Sequence, residues 1–168
     1  MNTGQMLITV GAMVLLTLVI LRVNRGFLTT NTSMMETKFD VLAVSLGTSM
    51  IEEASGKSFD QNTDTATVTS TASLSSIGPD GSEVYPNFND FDDYNGFIKI
   101  VKYDSSDTTF KSADFKIKCD VGYINPSNPE VLMTSPKTWH KRLNVEVTSN
   151  SMVDTIRLST VYSYFYFR

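Results

Sequence analysis

The stretch MLITVGAMVLLTLVIL at residues 6–21 is apolar on every face and is interrupted only by Thr9, Gly11 and Thr17. No charged side chain occurs anywhere in residues 1–21. A helix needs about 20 apolar residues, and at least about 17, to cross a bilayer. A small soluble domain has too little surface to cover such a helix on all sides. The stretch therefore predicts a helix that lies in a membrane or in the core of a helical assembly.

The flanks of this helix bear on its processing and orientation. Residues 1–5 contain no Lys or Arg, and the sequence RVNRGFL at 22–28 lacks a small-residue cleavage site, which disfavours a cleaved signal peptide. Arg22, Arg25 and Lys38 follow the apolar run. Because basic residues prefer the cytoplasmic side of a membrane, these three favour a head that stays inside the cell.

A second helical pattern follows the apolar run. Apolar side chains recur at spacings of three and four residues, at Met35, Phe39, Leu42, Leu46 and Met50. This spacing places them on one face of an amphipathic helix, which is predicted to end near Gly56. The next 40 or so residues, 57–96, are rich in Ser, Thr, Asn and Asp and predict a polar loop region.

The C-terminal part of the chain has the pattern of β-strands. Four segments are rich in β-branched and aromatic residues or alternate between apolar and polar ones: 96–103, 114–123, 141–148 and 153–167. Turn residues occupy 77–81 and 125–129, and 104–109 is predicted to be a hairpin loop. Alternation with one apolar face predicts an antiparallel sheet that is covered on one side, and the amphipathic helix is its natural cover.

These patterns together predict an α+β fold. A long N-terminal helix, apolar in its first half and amphipathic in its second, packs on a C-terminal antiparallel sheet of about four strands. The predicted regions are an apolar helix at 1–28 with a short leader at 1–4, its amphipathic continuation at 29–56, a polar loop region at 57–96, and a β head at 97–168.

Composition and single residues argue against catalysis. The net charge of −4 disfavours a nucleic-acid partner. Cys119 sits at an inward position of an alternating strand and is predicted to be a small buried hydrophobe, and His140 is predicted to be a lone surface histidine. The basic segment KTWHKR at 137–142 is interpreted as a protected strand edge or rim. No phosphate loop, nucleophile elbow or zinc helix motif occurs, so no catalytic or cofactor-binding residue is predicted.

One acidic segment has the composition of a metal site. Asp90, Asp92, Asp93 and Asn95 supply oxygen atoms, and Gly96 permits a sharp turn after them. Hard cations such as calcium take several oxygen ligands, so these four residues are a candidate calcium-type site. The alternative is a solvated acidic loop, because the spacing does not match a helix–loop–helix calcium loop.

Several of these features together resemble one family. Gly4, the uncharged apolar run, its amphipathic continuation and a β-rich head resemble type IV pilin-like proteins and the pseudopilins of type II secretion. The helix end SMIEEASGKSFD at 49–60, the acidic FNDFDDYNG at 88–96 and the last two strands are similar to minor members of that group. The family carries a glutamate at the fifth mature position, which is Thr9 here, and this indicates a minor or divergent member.

The resemblance implies a structural role with no enzymatic activity. A prepilin peptidase would cleave after Gly4, leaving Gln5 as the first residue of a chain whose new N-terminus is methylated in the family. The partners would be copies of the chain or related pilin-like subunits, first in the inner membrane and then in an extracellular or periplasmic filament. The residues expected to make the helix contacts of assembly are Met6, Leu7, Ile8, Val10, Met13, Val14, Leu15, Leu16, Leu18, Val19, Ile20 and Leu21.

Two other hypotheses remain open on the sequence. The chain could be a single-span, membrane-anchored β-domain that binds a partner or ligand without polymerising. The weakest of the three is a membrane-tethered enzyme.

Overall fold

The computed structural model describes residues 2–81, 83–102 and 113–165. The chain begins with one long helix, α1, at Thr3–Ser55. The residues form two compact units, Met1–Lys38 and Phe39–Arg168, so α1 contributes to both. The predicted continuation of the apolar helix into a second helical half is confirmed, and the helix ends one residue before Gly56.

The second unit contains an antiparallel sheet. Its strands are β1 at Ile98–Val101, β2 at Phe115–Asn125, β3 at Asn128–Met133, β4 at His140–Ser149 and β5 at Ile156–Ser163. Strands β1, β2, β4 and β5 lie side by side in that order, and β3 also pairs with β2. Every paired neighbour is antiparallel. The predicted α+β fold, a long helix packed on an antiparallel sheet, is confirmed.

Strand β3 was not predicted, because its sequence carries turn signals. The pairing of Asn125 with Asn128 leaves only Pro126 and Ser127 in the connection, so 125–129 is a tight hairpin that leads directly into a strand. Pro129 cannot donate a backbone hydrogen bond, and it is tolerated because β3 pairs on one side only. The predicted hairpin loop at 104–109 lies outside the described residues, as do the ends of two predicted strands at 103 and 166–167.

The core of the second unit lies between the sheet and the last four turns of α1. Alternate residues of the two central strands are buried: Phe115, Ile117, Cys119 and Val121 on β2, and Leu143, Val145 and Val147 on β4. The helix buries Phe39, Ala43, Gly47, Met50 and Ala54 against them. This buried face contains more small residues than the sequence pattern predicted. The small residues allow the helix and the sheet to approach closely.

Gly47 marks the closest approach. A Cβ atom at this position would lie 2.7 Å from Leu158 Cδ1 and 3.3 Å from Val147 Cγ2. Met35, which was expected on the same stripe, is exposed and belongs to the first unit.

The segment predicted to be a polar loop has a structure of its own. It forms a short helix, α2, at Gln61–Thr65, and two single 3-10 turns at Thr71–Ser73 and Asp92–Tyr94. It also buries four aromatic side chains, Phe59, Phe88, Phe91 and Tyr94. Tyr94 donates a hydrogen bond of 2.8 Å to Glu53 Oε1, which ties the segment to the C-terminal end of α1.

Candidate functional site

The first unit is an isolated helix with apolar side chains facing outward on all sides. The twelve predicted assembly residues are between 53% and 74% exposed: Met6, Leu7, Ile8, Val10, Met13, Val14, Leu15, Leu16, Leu18, Val19, Ile20 and Leu21. Removing one such side chain from water stabilises by about 1.5–3 kcal/mol, so covering all of them is worth on the order of 20 kcal/mol. This surface requires a cover that the unit does not supply.

The two hydroxyl groups within residues 6–21 are already satisfied by the helix itself. Thr9 Oγ1 donates to the Met6 carbonyl at 2.9 Å, and Thr17 Oγ1 donates to the Met13 carbonyl at 2.8 Å. The most apolar 18-residue window has a mean hydropathy of 2.5, and α1 is the one helix in the described residues that is long and apolar enough to cross a membrane. Such a surface suits lipid or other apolar helices, because it presents no unmatched hydroxyl to them.

The predicted processing residues lie at the start of this helix. Gly4 and Gln5 are exposed in the first turn, where the Gln5 N–H donates to the Asn2 carbonyl at 3.0 Å.

The second unit contains a buried ionic cluster of Lys141, Asp60 and Asp92, whose side chains are fully buried. Lys141 Nζ donates three hydrogen bonds: to Asp60 Oδ2 at 3.1 Å, to Asp92 Oδ1, and to the Phe59 carbonyl at 2.7 Å. Its three N–H groups therefore have three acceptors. The ammonium also lies 4.5 Å from the centre of the Phe59 ring.

Asp60 organises the loop around the ionic cluster. It is the N-cap of α2, where Oδ1 accepts from the Asn62 N–H at 3.1 Å, and it forms a capping box with Thr63. Its carboxylate also accepts from the backbone N–H and the hydroxyl of Ser75, each at 3.0 Å. One carboxylate thus joins α2, the segment near Ser75 and β4.

Asp90 lies beside the ionic cluster, and its surroundings favour the protonated form of its carboxyl group. Burial, a hydrogen bond with Asp92 and the negative charges of Asp92 and Asp93 raise the pKa of Asp90 to about 9, although Lys141 opposes the shift. Burial also raises the pKa of Asp92 against the opposing charge of Lys141. Asp92 Oδ2 is buried and has no hydrogen-bond partner. Asp90 Oδ1 accepts from the N–H groups of Asp92 and Asp93.

The four predicted calcium ligands are close in sequence but point to different partners. Asp90 and Asp92 face the ionic cluster, and Asn95 Oδ1 accepts from the Val121 N–H at 3.1 Å. Asp93 Oδ2 accepts from the N–H groups of Asn89 and Asp90. Within the described residues, no group of three or more His, Cys, Asp and Glu side chains is already arranged to hold a metal ion.

Sequence reasoning missed the roles of Lys141 and Asp60. Lys141 was interpreted as part of a protected strand edge or rim, but it is fully buried. A signal was present, because Lys141 has the same parity as the inward-facing Leu143, Val145 and Val147, so its side chain had to enter the core. Its partner could not be found in this way, because Asp60 is 81 residues away in the sequence.

Two further residues were considered for chemistry. Cys119 is fully buried, as predicted, and burial raises the pKa of its thiol to about 12, which disfavours the nucleophilic thiolate. His140 is half-buried, and its Nδ1 lies 2.7 Å from Ser163 Oγ. The ionic cluster is closed to substrates because all of its side chains are fully buried, so the arrangement stabilises the fold of the loop around β4.

No protein-family model, no curated protein and no solved structure matches this chain.

Proposed function

We propose that this protein is a structural subunit of a pilus-like or pseudopilus filament and assembles through its N-terminal apolar helix. The observation that carries the proposal is the exposure of apolar side chains on every face of α1 between Met6 and Leu21. The same helix enters the core of a folded head from Phe39 onward. A filament subunit of this kind needs an apolar helix that is continuous with a folded head. The helix contacts lipid before assembly and the apolar helices of other subunits afterwards.

The transfer from membrane to filament does not depend on the hydrophobic effect. Lipid tails are as apolar as leucine side chains, so moving the helix from lipid into a bundle of helices gains packing contacts rather than relief from water. In this proposal the head stays folded throughout, because its core is made by residues from Phe39 onward.

A second candidate function is a single-span, membrane-anchored β-domain that does not polymerise. It is favoured by Arg22, Arg25 and Lys38, which follow the apolar stretch, because basic residues prefer the cytoplasmic side of a membrane and so favour a head that stays inside the cell. Thr9 also favours it, because the family that the sequence resembles has a glutamate at this position.

The mass of the natural N-terminus distinguishes the two functions. Material sheared from the cell surface and the membrane fraction would be separated, and the N-terminal peptide of the protein in each would be measured by mass spectrometry. A chain that begins at Gln5 in a high-molecular-weight sheared fraction supports the filament. A chain that begins at Met1 and is confined to the membrane contradicts it and supports the anchored domain.

The substitution Leu16→Asp tests whether the apolar helix is needed. An acidic side chain at the centre of a spanning helix costs about 2.5–3.5 kcal/mol, so we expect loss of the membrane-bound and filamentous protein. Folding of the head, followed by the fluorescence of the single Trp139, should not change. Val153→Asp is the matched control, because Val153 is an exposed apolar residue of the head, and it should leave assembly intact. Filaments formed normally by Leu16→Asp would contradict the proposal.

A further inference from the structure

The buried ionic cluster brings an amine and a carboxyl group together away from solvent. Lys141 and Asp92 have fully buried side chains, and Lys141 Nζ lies 4.5 Å from the centre of the Phe59 ring and 5.4 Å from that of Tyr123. An amine and a carboxyl group condense to an amide with loss of water, and burial favours the neutral forms that this reaction requires. We propose that Lys141 and Asp92 form an intramolecular amide bond, which joins β4 to the 3-10 turn at Asp92–Tyr94.

The hydrogen bonds of the cluster hold the reacting groups in contact. Lys141 Nζ donates to Asp92 Oδ1, so the carboxyl carbon of Asp92 is one covalent bond beyond an atom that the amine already contacts. The bonds from Nζ to Asp60 Oδ2 at 3.1 Å and to the Phe59 carbonyl at 2.7 Å fix the amine from two further directions. Two groups held in this way react as one molecule, which removes much of the entropic barrier to their condensation.

Asp92 is better suited to react than Asp60, the other acid bonded to Lys141. Both oxygens of Asp60 accept hydrogen bonds from the loop, from the Asn62 N–H and from the N–H and hydroxyl of Ser75, and these bonds favour its carboxylate form. Asp92 Oδ2 is buried without a hydrogen-bond partner, and burial raises the pKa of its carboxyl against the opposing charge of Lys141. Asp92 is therefore the acid that more readily takes up the proton needed to release water.

Asp90 supplies a proton donor and acceptor for the reaction. Its carboxyl hydrogen-bonds with Asp92, and burial and the neighbouring acids favour its protonated form. A proton first passes from the Lys141 ammonium to Asp92, and the neutral amine attacks the carboxyl carbon. Asp90 then donates its proton to the departing oxygen and takes one from the attacking nitrogen. A carbon–nitrogen bond forms, a carbon–oxygen bond breaks, one water molecule leaves, and Asp90 ends as it began.

The reaction removes a pair of charges from the core of the head. The amide keeps one N–H, which can still donate to Asp60 Oδ2, and Asp60 retains its bonds from Asn62 and Ser75. The ionic cluster is thus the unreacted state of the head. The bond lies within the head and does not depend on filament assembly.

The intact mass of the chain tests the proposal. The full-length chain would be recovered unfolded from inclusion bodies in urea, where the cluster is not assembled, and refolded in detergent. Its mass should fall with time by that of one water molecule, and the stability of the ionic cluster is measured before this change. Trypsin should then release peptides 58–99 and 138–142 as one cross-linked species, with fragment ions that locate the link at Asp92 and Lys141.

Two variants separate the amide from other losses of water. Lys141→Arg keeps a cation in the cluster without the amine, so it should keep its full mass. Asp90→Asn leaves both reacting groups in place and should form the bond about a hundredfold more slowly, because it lacks the acid. Trp139 fluorescence checks that each variant folds. Lys118→Arg, at an exposed ion pair of β2, is the matched control and should lose water as the natural chain does.

Four results would overturn the amide bond as proposed. They are a natural chain that refolds and keeps its full mass, a loss of water that persists in Lys141→Arg, a link that fragment ions locate at Asp60, or an unchanged rate in Asp90→Asn. The second would mean that another acid has cyclised onto the backbone, as an aspartate followed by glycine can do at Asp80 and Gly81.

Discussion

The N-terminal helix and the segment that follows it in the chain place their side chains in opposite ways. Between Met6 and Leu21 the helix exposes apolar side chains. Between Asp60 and Asp93 the head buries four carboxyl groups, and β4 adds the buried Lys141. Both arrangements are unfavourable for an isolated chain in water, where apolar groups are ordinarily covered and charges are ordinarily hydrated.

The difference lies in where the compensation comes from. Lys141, Asp60 and Asp92 compensate one another within the head. The apolar residues of the first unit have no such partners in their own unit, so their cover must come from outside that unit. The buried charges therefore bear on the stability of the head, whereas the exposed apolar face bears on the surroundings in which the helix is stable.

The largest expected effect comes from breaking the internal compensation. Lys141→Met should lower the free energy of unfolding of the head by about 3–5 kcal/mol, because it leaves Asp60 and Asp92 buried without a cation. Urea unfolding followed by Trp139 fluorescence measures this, since Trp139 stacks on Tyr164 in the folded head. Lys116→Met, at an exposed position of β2, is the control and should change little.

A combined variant separates lost charge from lost packing at Lys141. If Asp60→Asn and Asp92→Asn are added to Lys141→Met, much of the stability should return, because no uncompensated charge remains. A loss below about 1 kcal/mol in Lys141→Met alone would show that the ionic cluster is not closed, and the contrast with the first unit would fail.

The features that the sequence predicts well are those that depend on periodicity. The three-and-four spacing around Phe39 and Met50 predicts the face of α1 that packs on the sheet, and the alternation around Cys119 predicts which side of β2 is buried. Periodicity is local, so it can be recognised without knowing the partner.

The features that the sequence does not predict depend on partners far away in the chain or on conflicting local signals. Strand β3 begins in a run of Asn and Pro, which predicts a turn, and only pairing with β2 makes it a strand. Lys141 has the parity of a buried residue, but its stabilisation requires Asp60, which the fold brings from another part of the chain. The unpaired oxygens of Glu83 and Asn89 become evident only when the loop is folded.

A smaller effect on stability is expected from substituting glycines of α1. These substitutions compare the two units at positions within one helix. Gly47→Val should destabilise the head by about 1–3 kcal/mol, because the new side chain overlaps Leu158 and Val147. Gly26→Val makes the same change in the first unit, where nothing lies within 4 Å of a Cβ atom, and should leave the unfolding of the head unchanged. An equal loss in both variants would mean that helix propensity, and not packing against the sheet, determines the result.

The last effect concerns the proton on Asp90 and is set apart from the others because it depends on pH. Asp90 has an ordinary pKa of 3.8 and a raised one of about 9 in the folded head, where it faces Asp92, Asp93 and Lys141. The folded head thus keeps a proton that the unfolded chain releases, so stability is full below about pH 4 and declines as the pH rises toward 9. One proton limits the slope to about 1.4 kcal/mol per pH unit.

Asp90→Asn should remove this part of the pH dependence. Its amide stays neutral and can still accept from the N–H groups of Asp92 and Asp93, as Asp90 Oδ1 does. In urea unfolding with a chelator present, the variant should match the natural chain near pH 4 and become the more stable of the two as the pH rises to 8. Parallel curves of unfolding free energy against pH for the two proteins would show that Asp90 is ionised in the folded head. The negative charge buried between Asp60 and Asp93 would then be larger than Lys141 can compensate.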